Sequence, residues 1–310
     1  MRRAAAAALA AVAALLCAKP VAAQAWITPA GEGSIGLFHQ FVYSDNHLNF
    51  EGEGNDQLGT ERFHTLSLDA SYGLRDRLAV DGTVVWMTTK WSPDGNGTPH
   101  GTIDNGSYHS SFQDARVVLR YQAALRPVAL APFVAFGAPT NSYETRGHSA
   151  FGRSLKELQF GVAAGRAIRA TTGLVYLHGS ASYSVSEAVP GYDFDLDHIN
   201  GDFAVSVPAV SRVTFTGFGS WQVMRDGLEL PFKTDHDREE FGEDHDRLAR
   251  ASFLNTGLRA SVAVTDRLDF TVSGVFTVSG RNVHAVRAIT TGISWNFGGG
   301  FKIAPPSGRP

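Results

Sequence analysis

The sequence predicts an all-β protein, a transmembrane antiparallel up-and-down β-barrel of about twelve strands. Three observations predict it. Apolar residues recur with a period of two along segment after segment, the links between segments alternate short and long, and after residue 23 no run approaches the roughly 20 apolar residues of a membrane helix. Composition closes off other classes. The 310 residues carry 18% charged and 11% aromatic side chains at a formal net charge of −3. That is too few charges and too many rings for a disordered chain, and too neutral a balance for a nucleic-acid binder.

The first element reads as an export signal. Arg2 and Arg3 precede the apolar run Ala4 to Cys17, and Val21-Ala22-Ala23 places small residues where a signal peptidase reads, so cleavage is expected after Ala23. Residues 1–23 are then the leader, 24–297 the barrel and 298–310 a Gly/Pro-rich tail. Without Arg2, Arg3 and Lys19 the chain keeps 24 basic residues against 30 acidic, a net charge of −6, and loses its single cysteine. No disulfide braces such a chain, so packing or the closure of a sheet must do so.

The strands follow in order. Leu66, Leu68, Ala70 and Tyr72 alternate with Ser67, Asp69 and Ser71; Val80, Val84 and Trp86 with Asp81 and Thr83; Ala115, Val117, Leu119 and Tyr121 with Arg116, Arg120 and Gln122. Further on, Val213, Phe215 and Trp221 alternate with Thr214, Thr216, Ser220 and Gln222, and Leu268, Phe270, Val272, Phe276 and Val278 with Asp269, Thr271, Ser273 and Thr277. Each run is close to the roughly 9–11 residues that a tilted strand needs to cross a bilayer. Short links occur at 74–77, 123–127, 169–172, 208–211 and 265–267, and long polar stretches at 45–61, 92–109, 139–154, 186–198 and 224–247. Loops sorted by length to the two ends are the mark of an outer-membrane barrel, turns in the periplasm and loops outside, with strands from near Ile35 to near Phe297. This places the protein in the cell outer membrane, with lipid and a small-molecule solute as partners and no nucleic acid or cofactor.

The chain resembles the outer-membrane proteins of the MetA-pathway phenol-degradation, or transporter-like, family. The resemblance rests on Tyr72-Gly73-Leu74-Arg75-Asp76-Arg77-Leu78, on Phe112-Gln113-Asp114-Ala115-Arg116 and on Pro139-Thr140-Asn141. It departs at Phe112 and Asn141, where that family more often has glycine. What the resemblance implies is an outer-membrane barrel for passage of small, hydrophobic or aromatic compounds, without a catalytic residue.

If the apolar face meets lipid, the polar face lines a lumen containing Asp69, Asp81, Arg116, Arg120, Asp202, Arg259 and Asp269. Twelve strands enclose less than the 16 of the porins with their aqueous channel, so an Asp/Arg network here is expected to fill part of the lumen, by mutual pairing first and selectivity second. Trp86, Trp91, Tyr72, Tyr121, Trp221, Trp295 and Phe297 are expected in the aromatic belt at the lipid headgroups.

The acidic stretch Lys233 to Arg247 carries a net −4 and repeats Asp235-His236-Asp237 as Asp244-His245-Asp246. Carboxylates and imidazoles together suit a divalent cation, although the spacing matches no standard metal loop, and a solvated acidic loop is the plainer reading. Asp193-Phe194-Asp195-Leu196-Asp197 imitates the start of a calcium loop but has His198 at position six and Ala204 at position twelve, so it is set aside. Three function classes are carried forward: a channel or transporter-like barrel, a structural or adhesive barrel acting through its loops, and an outer-membrane hydrolase. The last is weakest, since His198-Ile199-Asn200-Gly201 resembles a phospholipase motif without its serine and no enzyme activity is expected.

Overall fold

The computed structural model describes residues 25–56, 58–93, 99, 101–170, 173–231, 240–242 and 244–298. The expected leader, residues 1–23, and all of the expected tail but Gly298 lie outside them. Twelve strands are traced: β1 Gly33–Leu48, β2 Thr60–Arg75, β3 Leu78–Ser92, β4 His109–Phe112 continued by Asp114–Tyr121, β5 Ala129–Pro139 and β6 Glu157–Ala170. The second half holds β7 Gly173–Ser186, β8 His198–Val210, β9 Val213–Met224, β10 Ser252–Ala263, β11 Leu268–Arg281 and β12 Val283–Phe297. Each strand pairs antiparallel with the next, and β12 returns to β1 from Gly33 opposite Phe297 to Leu48 opposite Val283. Closure removes every sheet edge and satisfies the backbone inside the sheet, which hydrocarbon demands.

Alternation sorts the faces as predicted. Leu37, Leu68, Val117, Phe160, Phe215 and Ile289 are exposed on the outer wall, while Thr89, Gln159, Ser182, Ser206 and Thr216 are buried on the inner one. At the periplasmic rim Trp295 lies against Phe297 with Tyr72 stacked beyond it, and higher up Trp86 meets Phe112 edge-on at 4.8 Å. Trp91 corrects the belt assignment. It lies an odd number of residues from Trp86, so its side chain points inward, where it is fully buried and stacked 5.1 Å from His148.

The sorting of connections by length has one exception. At the loop-bearing end, β11 turns into β12 through Asn282 alone, at φ 52°, a left-handed conformation that asparagine tolerates. Its side chain accepts from Leu230 N at 2.8 Å and donates to Arg250 O at 3.1 Å, so this tight hairpin anchors the 224–252 connection.

Candidate lumen site

The periplasmic end of the lumen is occupied by the chain's own N-terminal segment, Ala25 to Thr28. Inward positions there are small: Ala79, Ala129, Ala131 and Ala163 are buried around Ala25 and Ile27, with Trp26 against them. A Cβ at Gly165 would stand 2.5 Å from the Trp26 ring, and one at Gly73 would stand 1.8 Å from Pro29 O, so both positions need glycine for close approach. Gln122 is the polar anchor. Its Oε1 accepts from Ile27 N at 3.1 Å and its Nε2 donates to Ala25 O at 3.0 Å. The inward alanines and glycines are legible in the sequence, but the segment that packs on them is not.

Above this floor stands a polar wall. Arg120 donates to the Asp81 carboxylate, and Arg116 to Gln159 Oε1. Gln159 Nε2 in turn reaches Ser182 Oγ at 2.9 Å and Asn200 Oδ1 at 2.8 Å, while Asp202 is held by Ser180 and, at 2.7 Å, by His178 Nε2. These groups come from neighbouring strands β3, β4 and β6 to β8 because inward side chains at matching register lie side by side. All of them except Asp81 and His178 border a cavity of ≈ 250 Å³ that also touches Phe133, Gln222 and Phe253.

All seven lumen residues named from the sequence face inward. Asp81, Arg120 and Asp269 sit near the periplasmic ends of their strands, with Arg116 and Asp202 further up. Mutual charge pairing holds for Arg120 and Asp81. Elsewhere the partners are of other kinds: Asn296 Nδ2 donates to Asp269 at 2.7 Å, Arg259 lies 4.9 Å above the Phe218 ring, and Asp69 stands opposite Thr83. The serine and histidine beside Asp202 both bond the carboxylate, so they form no Ser-to-His proton relay. His198 and Asn200 face Glu157 and Gln159 in the same wall, His198 Nε2 lying 3.5 Å from Glu157 Oε2.

The outer mouth is covered by folded loops. The connection from β5 to β6 enters it: the Asp104 carboxylate accepts from His148 N at 2.9 Å, Ser149 N at 3.1 Å and Ser149 Oγ at 2.7 Å, and Phe151 packs with Met87 and Ile103. Gln113, at the break in β4, donates to Phe151 O, and Asn141 Nδ2 donates to Ser111 Oγ at 3.0 Å, so two of the family-like motifs hold the base of this lid. A second apolar cluster of Leu155, Val189, Leu196, Met224, Leu228 and Leu248 ties it to the later loops. Burial pushes the His148 imidazole down to about 4, so this ring is neutral at neutral pH.

Of the acidic repeat, Asp235, His236 and Asp237 lie outside the described residues. Asp244 accepts from Arg146 and, at 2.8 Å, from Tyr192 OH. His245 Nε2 is 3.2 Å from Asp246 Oδ1. Against the cost of its own burial, the His245 imidazole holds the Asp246 carboxyl well below the usual carboxylate range. The stretch is therefore folded into the lid at Asp244 to Asp246 and not solvated there. The aspartates at 193, 195 and 197 lie in the connection before β8; Asp197 accepts from Tyr183 OH at 2.6 Å.

A closed barrel with an apolar outer wall, a polar lumen and long loops at one end is an outer-membrane β-barrel. The chain is similar to the COG4313 outer membrane channel from Pseudomonas putida F1, with 12% identity, a TM-score of 0.67, and 90% of this chain and 100% of that chain covered. It is also similar to the translocator domain of autotransporter NalP from Neisseria meningitidis, with 12% identity, a TM-score of 0.50, and 87% and 90% covered. At such identity the likeness is one of fold. No family model matches the sequence, and no curated protein does.

Proposed function

We propose that the barrel is a narrow conduit for small molecules across the outer membrane. The observation that carries this reading is the polar wall of Arg116, Arg120, Gln159, Ser182, Asn200 and Asp202 around a cavity large enough for a small solute. A barrel that served only as an anchor for its loops has no need of a ladder of hydrogen-bonding groups facing an open volume. Arg120 has its carboxylate in Asp81, whereas the hydrogen-bond partner of Arg116 is the neutral amide of Gln159, so the wall favours anionic or polar groups. Phe133 and Phe253 beside the arginines add apolar surface, which fits the hydrophobic or aromatic solutes that the MetA-pathway resemblance implies.

The protein acts here by passage and not by hydrolysis. Supporting this, Ser180 and His178 both bond the Asp202 carboxylate, so the histidine is not placed to take the serine's proton. Reconstitution into planar bilayers tests the conduit: ion conductance with an anion preference is expected, and Arg116→Gln lowers that preference. A protein that inserts, shows the gel-mobility shift of a folded barrel and passes neither ions nor small aromatic acids would leave the loop-borne structural role instead.

A further inference from the structure

One group of metal-ligating side chains is assembled in the described residues apart from the polar wall. His47 lies at the end of β1, Glu61 at the start of β2 and His284 at the start of β12, three strands that adjoin at the seam where the barrel closes. His47 and His284 are register partners, their rings 4.0 Å apart between centroids. The lid brings His148 over them from a sequence distance that no local pattern encodes. One donor atom from each of the four side chains lies within 4.8 Å of every other.

We propose that His47, Glu61, His148 and His284 form a binding site for a divalent transition-metal ion of the Zn²⁺ type, which staples the lid to the closure seam of the barrel.

Three imidazole nitrogens and one carboxylate are the donor set of borderline metals, and imidazole argues against Ca²⁺ or Mg²⁺, which take oxygen. Metal–nitrogen bonds of about 2.0–2.1 Å put tetrahedral donors roughly 3.3 Å apart, so closing the shell asks each side chain for a movement on the order of 1 Å. Small χ rotations supply that. The buried polar atoms point the same way. Glu61 is 1% exposed, 2.6 Å from His284 Nδ1 and 3.5 Å from His47 Nε2, yet neither of its oxygens and neither nitrogen of His47 lies in hydrogen-bond alignment. Leaving such atoms buried and unaligned is costly, and a cation among them takes one lone pair from each of the four donors.

The surroundings are those of a site held in place. His148 is stacked on Trp91, and its backbone is fixed by Asp104. A cavity of ≈ 250 Å³ opens between Glu61, His148, His284 and the Asp246 carboxylate, with Arg153 and Arg247 also in its lining, and Asp246 Oδ2 is likewise buried without a hydrogen bond. Of the His/Asp motif read from the sequence, Asp246 thus stands beside the proposed centre.

The test uses full-length protein in detergent, stripped with a chelator and dialysed against Zn²⁺ alone, with bound metal measured by elemental analysis and Co²⁺ as a spectroscopic probe. Wild-type protein should take up about one equivalent and give the visible bands of tetrahedral Co²⁺. Glu61→Gln and His148→Ala should each weaken binding on the order of 100-fold, at or beyond the upper end of losses seen for outer-shell changes. His148 is outside the barrel wall, so this variant keeps the gel-mobility shift of a folded barrel and the result stays readable. Asp244→Asn, on the acidic repeat, should leave uptake unchanged. Lack of stoichiometric uptake by the wild type, uptake that survives both Glu61→Gln and His148→Ala, or uptake abolished only by Asp244→Asn overturns the site.

Discussion

The two ends of the lumen are closed by opposite means. At the periplasmic end a short stretch of chain lies in a bed of alanine and glycine, held by apolar contact and one glutamine. At the outer end, loops from distant parts of the sequence are held by carboxylates, guanidinium groups and imidazoles as well as by a small apolar core. The first closure depends on steric fit and resists salt. The second is largely electrostatic and can respond to ions. A lumen with one steric floor and one ionic lid is set by volume below and by charge above.

The comparison is broken most directly at the floor. Gly165→Leu puts a side chain where the Trp26 ring lies and should expel the N-terminal segment, giving the largest rise in single-channel conductance of any change considered, with the barrel still folded. Conductance equal to wild type would mean that the segment does not limit passage. Gln122→Ala is next. It leaves the buried Ile27 N–H without its acceptor, at a cost of about 1–3 kcal/mol, and should lower the temperature of the gel-mobility transition while raising conductance less than Gly165→Leu does.

At the lid the expected effects are smaller. Asn282→Ala removes two hydrogen bonds that join the β11–β12 turn to the 224–252 connection and places alanine at positive φ, for a loss of about 1–2 kcal/mol seen as faster protease cleavage in the loops with the barrel intact. Arg146→Ala breaks a pair in which the arginine is nearly half exposed, so it should cost no more than about 1 kcal/mol, and the difference from wild type should vanish in high salt. A floor variant with the same salt dependence would contradict the division between the two ends.

Much of this architecture was legible in the sequence, and for a definite reason. Alternation is a local property, and because a strand has a period of two it assigns each of Asp69, Asp81, Arg116, Arg120, Asp202, Arg259 and Asp269 to the inner wall without knowledge of any partner. Link lengths are local as well, so the sorting of turns and loops, and with it the orientation, could be read directly. The same parity rule applied strictly would have turned Trp91 inward. The belt assignment failed there because a tryptophan near a strand end was read by residue type instead of by face.

What the sequence by itself determined is the barrel: its strands, its two faces and the end that bears the loops. Only the tertiary structure decided what fills it. Positions 47, 61, 148 and 284 meet because closure brings the last strand back to the first and a loop from the far side folds across them, and contacts at such separations leave no periodic trace in the chain. The N-terminal plug is of the same kind. Alanines at 79, 129, 131 and 163 recorded that space was kept, but only the folded barrel brings Ala25 to Ile27 into that space.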